Sequence, residues 1–199
     1  MKAILVGGFV EMVELCELCE VHIVGIIDNA LEGQFAGYPV LGRDQDAPAI
    51  LERFPRTPVI ITPDSPTVRR KLAQYYSTLG FTVTGLVSPK AVVSRSATIG
   101  AGTVVQSWVN VSANAEIGAL VKLNTGANVM HDSIVGDYTT IAPNAVVLGR
   151  VAVGAGCYIG ANATLLPETR VQDLVTVGAG AVVVKDVATG KTVKGVPAR

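Results

Sequence analysis

Every sixth residue from Val87 to Val183 is aliphatic. The series runs Val87, Val93, Ile99, Val105, Val111, Ile117, Leu123, Val129, Val135, Ile141, Val147, Val153, Ile159, Leu165, Val171, Val177 and Val183, with no polar interruption. Two places before each, the residue is usually small, as at Ala97, Thr103, Ala115, Ala127, Ser133, Thr139, Ala145, Cys157 and Ala163. Glycine often follows directly, at Gly100, Gly118, Gly136, Gly154, Gly160 and Gly178. A period of six matches neither an isolated helix nor a flat strand. It fits a chain wound into triangular coils, with one short strand and one corner per hexapeptide, which is a parallel β-helix. Three hexapeptides close a coil, so residues eighteen apart stack at about the 4.8 Å spacing of neighbouring strands. The aliphatics then face inward, with the small residues beside them where little width remains. Gly and Asn are expected at corners, where positive φ is frequent.

The rest of the composition excludes several classes. Lysine plus arginine equals aspartate plus glutamate at 16 each, so nothing recommends nucleic acid or an anionic membrane as partner. No apolar run approaches the ~20 residues of a membrane span, and residues 1–6 read as a strand, not a leader. Three cysteines suggest a reducing compartment, hence a cytoplasmic protein. Cys16 and Cys19 form a C-x-x-C, but they sit in a helical pattern without a second ligand pair and read as ordinary helix residues.

Ahead of the repeat, strands alternate with helices. Strands are expected over 2–6, 22–28 and 58–62, and helices over 9–20, 45–54 and 65–79. Residues 29–37 read as polar loop, and 38–42 lead into the second helix. This alternation argues for a small parallel sheet of Rossmann character over 1–84, followed by the β-helix over 85–199. Such a sheet offers a ligand site at the carboxyl ends of its strands. Gly7 and Gly8 after the first strand would let a backbone approach a phosphate at a helix N-terminus, or would simply turn strand into helix. Asp28 and Asn29 end the second strand, and Thr62 is delivered to the same edge by the third.

Two histidines exist. His22 begins a strand and reads as a surface residue. His131 falls two places after Val129, at a coil corner, and Asp132 follows it. Gly149, eighteen residues on, should sit one coil away, and Asn124 occupies the preceding corner. A carboxylate orients and tunes an imidazole that must take a proton, while a bare glycine N–H can meet a developing oxyanion. Base plus oxyanion donor is the minimum kit for acyl transfer from a thioester. Cys157 falls in the inward column and is not an acyl carrier. A zinc site needs three or four ligands, and the repeat holds one histidine, so no metal is expected.

Three segments carry a resemblance: 123–127 with 129–137, then 178–183 with Lys185-Asp186, and Gly195-Val196-Pro197-Ala198-Arg199 at the end. They resemble the hexapeptide-repeat acetyltransferases of the sialic acid O-acetyltransferase type, which include N-acetyltransferases of nucleotide-linked 4-amino sugars. The likeness implies a left-handed coil, a homotrimer with active sites between adjacent coils, and acetyl-CoA as donor. His131 would be the general base, Asp132 its companion, Asn124 a polar neighbour, and the Gly149 N–H the donor to the thioester carbonyl. Ala155, Gly160, Ala161, Gly178 and Ala179 would line the pantetheine groove, with Lys185, Lys194 and Arg199 toward the nucleotide of coenzyme A. The first domain would hold the sugar nucleotide through Gly7, Gly8, Phe9, Asp28, Asn29 and Thr62. One departure stands out: the family commonly has Gly-His-Ala or Gly-His-Gly at the first turn, and this chain has Gly8-Phe9-Val10. O-acetylation of a sugar or sialic acid is the alternative reading, and a non-catalytic scaffold a lesser one.

Overall fold

In the computed structural model, which describes residues 1–199, the chain leaves a small sheet at Val83 and enters a long coil at Leu86. The first part contains β1 (Lys2–Val6), α1 (Val10–Leu18), β2 (His22–Ile27), β3 (Gln34–Phe35), β4 (Tyr38–Gly42), α2 (Ala47–Arg53), β5 (Val59–Ile61) and α3 (Pro66–Leu79). The strand order is β3-β4-β2-β1-β5, parallel except for β3 against β4. The order reverses at β1, so a crevice opens at the carboxyl ends of β1 and β5. α3 shows how local sequence sets an element. Ser65 accepts from the Val68 N–H, Pro66 starts the first turn, and Gly80 ends the helix at φ 101°.

Two strands differ from expectation. Residues 34–35 and 38–42 are a hairpin, closed by Ala36 and Gly37 at φ 47° and 85°. Positive φ at both loop residues gives the turn the twist that flanking strands need. Ala-Gly is a weak sequence signal for it, and Pro39 argues against a strand except at an edge.

The coil consists of two-residue strands on three faces of seven, six and five strands. Pairing is parallel with partners eighteen apart, as in Asn110 with Asn128 and Ile117 with Val135. From Val105 to Val183 the sixfold aliphatics are buried and form one continuous core with the small residues between them. The pattern stops at Thr189, where the last coil shortens and Val177 pairs with Val193. The tail then turns under the coil: Val182 donates to Gly195 O at 3.0 Å and Ala198 to Val182 O at 2.8 Å, seating Ala198 against the core.

Positive φ falls three places after each aliphatic from Ile99 to Val177, at Trp108, Asn114, Leu120, Asp132, Tyr138, Asn144 and Asn162 among others. The asparagines therefore relieve corners as expected, but the glycines directly after the aliphatics do not. Their reason is close approach. A Cβ at Gly136 would stand 2.6 Å from the Gly154 carbonyl carbon, and one at Gly160 2.6 Å from Ala179 N. Gly136→Ala is expected to lower stability by about 1–3 kcal/mol, as overpacking does. A urea midpoint that falls at unchanged slope checks this, and an unmoved midpoint would show that the coils can spread.

The first domain covers the seven-stranded face, whose outward residues Leu86, Val104, Lys122 and Thr140 are buried. Arg69 of α3 is the main stitch. Its guanidinium donates to Pro63 O and Asp64 O in its own domain, and to Leu120 O, Tyr138 O, Thr139 O and Thr140 Oγ1 of the coil. Burial pulls its pKa down to about 10, still a cation at neutral pH. The other two faces are uncovered, with Val92 and Ile134 exposed. No helix is long and apolar enough to cross a membrane. Cys16 is buried in α1, and its thiol is pushed up to about 12, chiefly by burial, so it stays protonated.

Candidate active site

His131 and Asp132 lie on the edge between the six-stranded and five-stranded faces, between Val129 and Ile134. Asp132 adopts φ 58°, a conformation that Asp tolerates better than most residues. Its Oδ2 meets His131 Nδ1 at 2.8 Å, and its Oδ1 accepts from Asn114 Nδ2 at 3.0 Å, one coil earlier. The bond from His131, and then that from Asn114, hold the Asp132 carboxyl below its ordinary range. An ionised carboxylate on Nδ1 fixes the proton there and leaves Nε2 as the open acceptor.

The ring lies over Gly149, one coil on. A Cβ there would stand 2.7 Å from both Nε2 and Cε1, so only glycine leaves the imidazole its place. The carbonyls of His131 and Gly149 accept from Arg150 and Glu168, whereas the Gly149 N–H bonds to nothing in the chain. The edge thus presents an imidazole half exposed to solvent beside an unused amide donor. It can remove a proton on one side and stabilise negative oxygen on the other.

Asn124 is not part of this cluster within one chain. It sits on the edge between the seven-stranded and six-stranded faces, buried, donating to Asp64 Oδ1 at 3.3 Å. Its Oδ1 has no partner. Ala161 and Ala179, with Gly160 and Gly178 before them, lie along the same edge; Ala155 lies on the third, where its N–H goes to Asp173 at 2.7 Å. Lys185, Lys194 and Arg199 are exposed at the far end, the last two joined by paired backbone bonds of 3.1 Å.

Sequence reasoning missed Lys122. Its fully buried ammonium donates to Asp64 Oδ1 and Thr62 O, both at 2.8 Å, with Glu11 at 3.9 Å and the Phe9 ring at 5.9 Å. An outward position on a short strand reads as solvated lysine. Only the domain lying over that face makes it buried.

At the crevice of the first domain, a cavity of about 280 Å³ is bordered by Gly7, Phe9, Asp28, Asn29, Asp44 and Pro63. The Gly8 N–H donates to Asp28 Oδ2 at 2.9 Å and the Ala30 N–H to Asp28 Oδ1 at 2.8 Å. Asn29 and Asp44 exchange bonds of 2.7 and 3.0 Å. Thr62 is buried, its hydroxyl turned to Val6 O and Gly7 O. Phe9 is partly exposed. A Cβ at Gly7, whose φ is 100°, would stand 2.5 Å from Thr62 Oγ1, so the turn itself requires this glycine.

Known proteins share this architecture. The model of the bacterial transferase hexapeptide (six repeats) matches residues 114–149. The acetyltransferase domain of PglB from Neisseria gonorrhoeae, solved in complex with acetyl coenzyme A, superposes with a TM-score of 0.93 at 30% identity, covering 100% of this chain and 98% of that one. The chain belongs to the hexapeptide-repeat sugar acetyltransferases. A histidine-to-alanine variant of GDP-perosamine N-acetyltransferase from Caulobacter crescentus, in complex with CoA and GDP-perosamine, gives a TM-score of 0.95 at 29% identity over 100% and 96% of the two chains. WeeI from Acinetobacter baumannii gives 0.87 at 28% identity over 100% and 99%. No curated protein matches the sequence. As a member of the hexapeptide-repeat sugar acetyltransferases, the protein is an acetyltransferase whose α/β domain precedes a left-handed parallel β-helix.

Proposed function

We propose that the protein transfers the acetyl group of acetyl-CoA to the amino group of a nucleotide-linked amino-deoxy sugar in the cytoplasm. The observation that carries this reading is the edge cluster: His131 held by Asp132, with Nε2 open and the unused Gly149 N–H beside it. The amine nitrogen attacks the thioester carbonyl carbon while Nε2 takes its proton. Negative charge growing on the carbonyl oxygen is met by the Gly149 N–H. The C–S bond then breaks, and the departing thiolate takes up the proton. No acyl-enzyme is needed, and Cys157, inward and with its pKa raised by burial, supplies no nucleophile.

Relatives solved with acetyl-CoA, and with CoA plus GDP-perosamine, support the two ligand classes. We read the assembly as a homotrimer, a reading that the placement of the parts supports. His131 and Asn124 lie on the two edges flanking the six-stranded face, which is uncovered and carries exposed Val92. Three such faces turned to a common axis would set the His131 edge of one subunit against the Asn124 edge of the next. The donor would then run along Gly149 on one side and Ala161 and Ala179 on the other. The nucleotide would occupy the crevice by Gly7, Phe9 and Asp28.

Thiol release from acetyl-CoA, followed with purified protein and a panel of sugar nucleotides matched as amine and hydroxyl acceptors, tests the reading. Thiol should appear with the amines, and their products should gain one acetyl group. Turnover of hydroxyl acceptors alone would instead assign O-acetylation, and no turnover of either would reject the proposal. Sedimentation should give a trimer; a fully active monomer would remove the seam.

A further inference from the structure

The column of corner residues that contains Asp132 runs Ser96, Asn114, Asp132, Arg150 and Glu168, at steps of eighteen. The last four turn there at φ 56°, 58°, 60° and 66°. An asparagine at such a corner can be explained by its backbone alone, since Asn tolerates positive φ. Asn144 and Asn162 do this at φ 57° on the edge that carries Asn124. One coil on from those two stand Asn162 and Gly180, neither of them charged. Asn114 is different. One coil on from it stands the carboxylate beside the candidate base, and its amide reaches that carboxylate at 3.0 Å.

Charge dictates how that amide faces. An ionised carboxylate only accepts, so Nδ2 must point to Asp132 and Oδ1 away from it. Asn114 is seated from its other side, where its backbone N–H donates to Ser96 Oγ at 3.0 Å. Asp132 is thus gripped by both oxygens, Oδ2 at 2.8 Å from His131 Nδ1 and Oδ1 on Asn114. A single bond between two half-exposed side chains is a weak restraint, because solvent competes for it. The second anchor stops the carboxylate from rotating and orders the pair before any substrate arrives. Arg150, the next cation in the column, is drawn the other way, its Nε donating to Glu168 Oε1 at 3.0 Å. Asp132 is left to the amide and the imidazole.

We infer that Asn114 is a positioning residue for the acyl transfer: through Asp132 it holds the imidazole in the tautomer, and at the tilt, that leaves Nε2 open over Gly149. The inference rests on the proposed role of His131. Asn114 acts on a carboxylate that acts on the ring. Without the amide the carboxylate would bond Nδ1 for only part of the time. During the remainder the ring could turn or carry its proton on Nε2, and the base would be absent for that fraction.

Two substitutions separate this role from relief of the corner. Glycine adopts positive φ without penalty, so Asn114→Gly keeps the turn and removes the amide. Asn114→Asp keeps the size and suits the turn, but puts an acceptor where the donor stood. With urea midpoints confirming an intact fold, each should lower kcat about tenfold or more and leave KM for acetyl-CoA within about twofold. In a His131→Ala background Asn114→Gly should add no further loss, because groups that act through one another are not additive. The imidazole nitrogen NMR signals, told apart from those of His22 with the His131→Ala protein, give a readout that needs no substrate. Neutral His131 should be one tautomer, protonated on Nδ1, in the intact protein and a mixture in Asn114→Gly. An unchanged kcat in Asn114→Gly, a loss that persists in full when His131 is already alanine, or a tautomer that stays single overturns the inference. A His131→Ala enzyme at full rate, with the tautomers mixed in Asn114→Gly, would instead reject the proposed base and leave the hold of the amide on the ring standing.

Discussion

On the proposed mechanism, replacing His131 with alanine should lower kcat/KM by about 10²–10⁴, the span that a positioned general base contributes. The side chain is half exposed and packs no core, so the fold should survive the truncation. The Gly149 amide and the groove remain, and coenzyme A should bind with little change. Loss should therefore fall on kcat. Asp132 gives a sign to the low-pH behaviour. Its carboxyl is depressed, so the pairing with His131 is complete above the ordinary carboxylate range and is lost only as pH falls through the lowered value. Gly149→Ala should approach the same loss by another route, since its Cβ would displace a ring 2.7 Å away. Stopped assays of thiol release across pH, with coenzyme A binding measured calorimetrically, check both. A His131→Ala enzyme of undiminished rate would remove the imidazole from the chemistry.

The coil was legible because one column of residues answers to one physical demand, repeated seventeen times from Val87 to Val183. The same stacking put Gly149 beside His131 before any coordinates, since residues eighteen apart must meet. Legibility ended where a neighbour outside the repeat decides the environment. Lys122 and Thr140 occupy outward positions that look solvated, yet both are buried beneath the first domain. The glycines that follow six of these aliphatics are required for another reason than the corners, because sequence does not distinguish relief of positive φ from lack of room. In the first domain Gly8, Asp28 and Thr62 fall at the carboxyl edge of the sheet as their spacing suggested. What spacing could not reveal is where their polar groups go: the Gly8 N–H to Asp28 Oδ2, and the Thr62 hydroxyl to Val6 O and Gly7 O. The hairpin at 34–42 escaped because Ala36-Gly37 adopts a turn usually written with Asn or Gly, and Pro39 obscured its strand.

Arg69→Met should be the most destabilising single change outside the coil core, costing about 3 kcal/mol or more, because it strands several buried acceptors at once. The guanidinium bonds Leu120 O at 2.7 Å and Tyr138 O at 2.6 Å in two successive coils, and Pro63 O at 2.8 Å at the end of β5. Methionine preserves the apolar stem but none of the donors. Lysine keeps the charge yet offers three donors from one point, too few to span both domains. The consequence reaches beyond stability. Asp64, whose carbonyl Arg69 holds at 3.0 Å, presents its carboxylate to Lys122 and Asn124, so the clamp also orders these polar contacts between the domains. Loosening it should raise KM for the sugar nucleotide, whose proposed crevice lies in the first domain, more than KM for acetyl-CoA, whose proposed groove lies along the coil. Urea unfolding followed by circular dichroism should lose its single transition, with the first domain melting ahead of the β-helix. An Arg69→Met protein that keeps one transition at the original midpoint would show that the apolar contacts of α1 with Leu86 and Val104 hold the domains without the guanidinium.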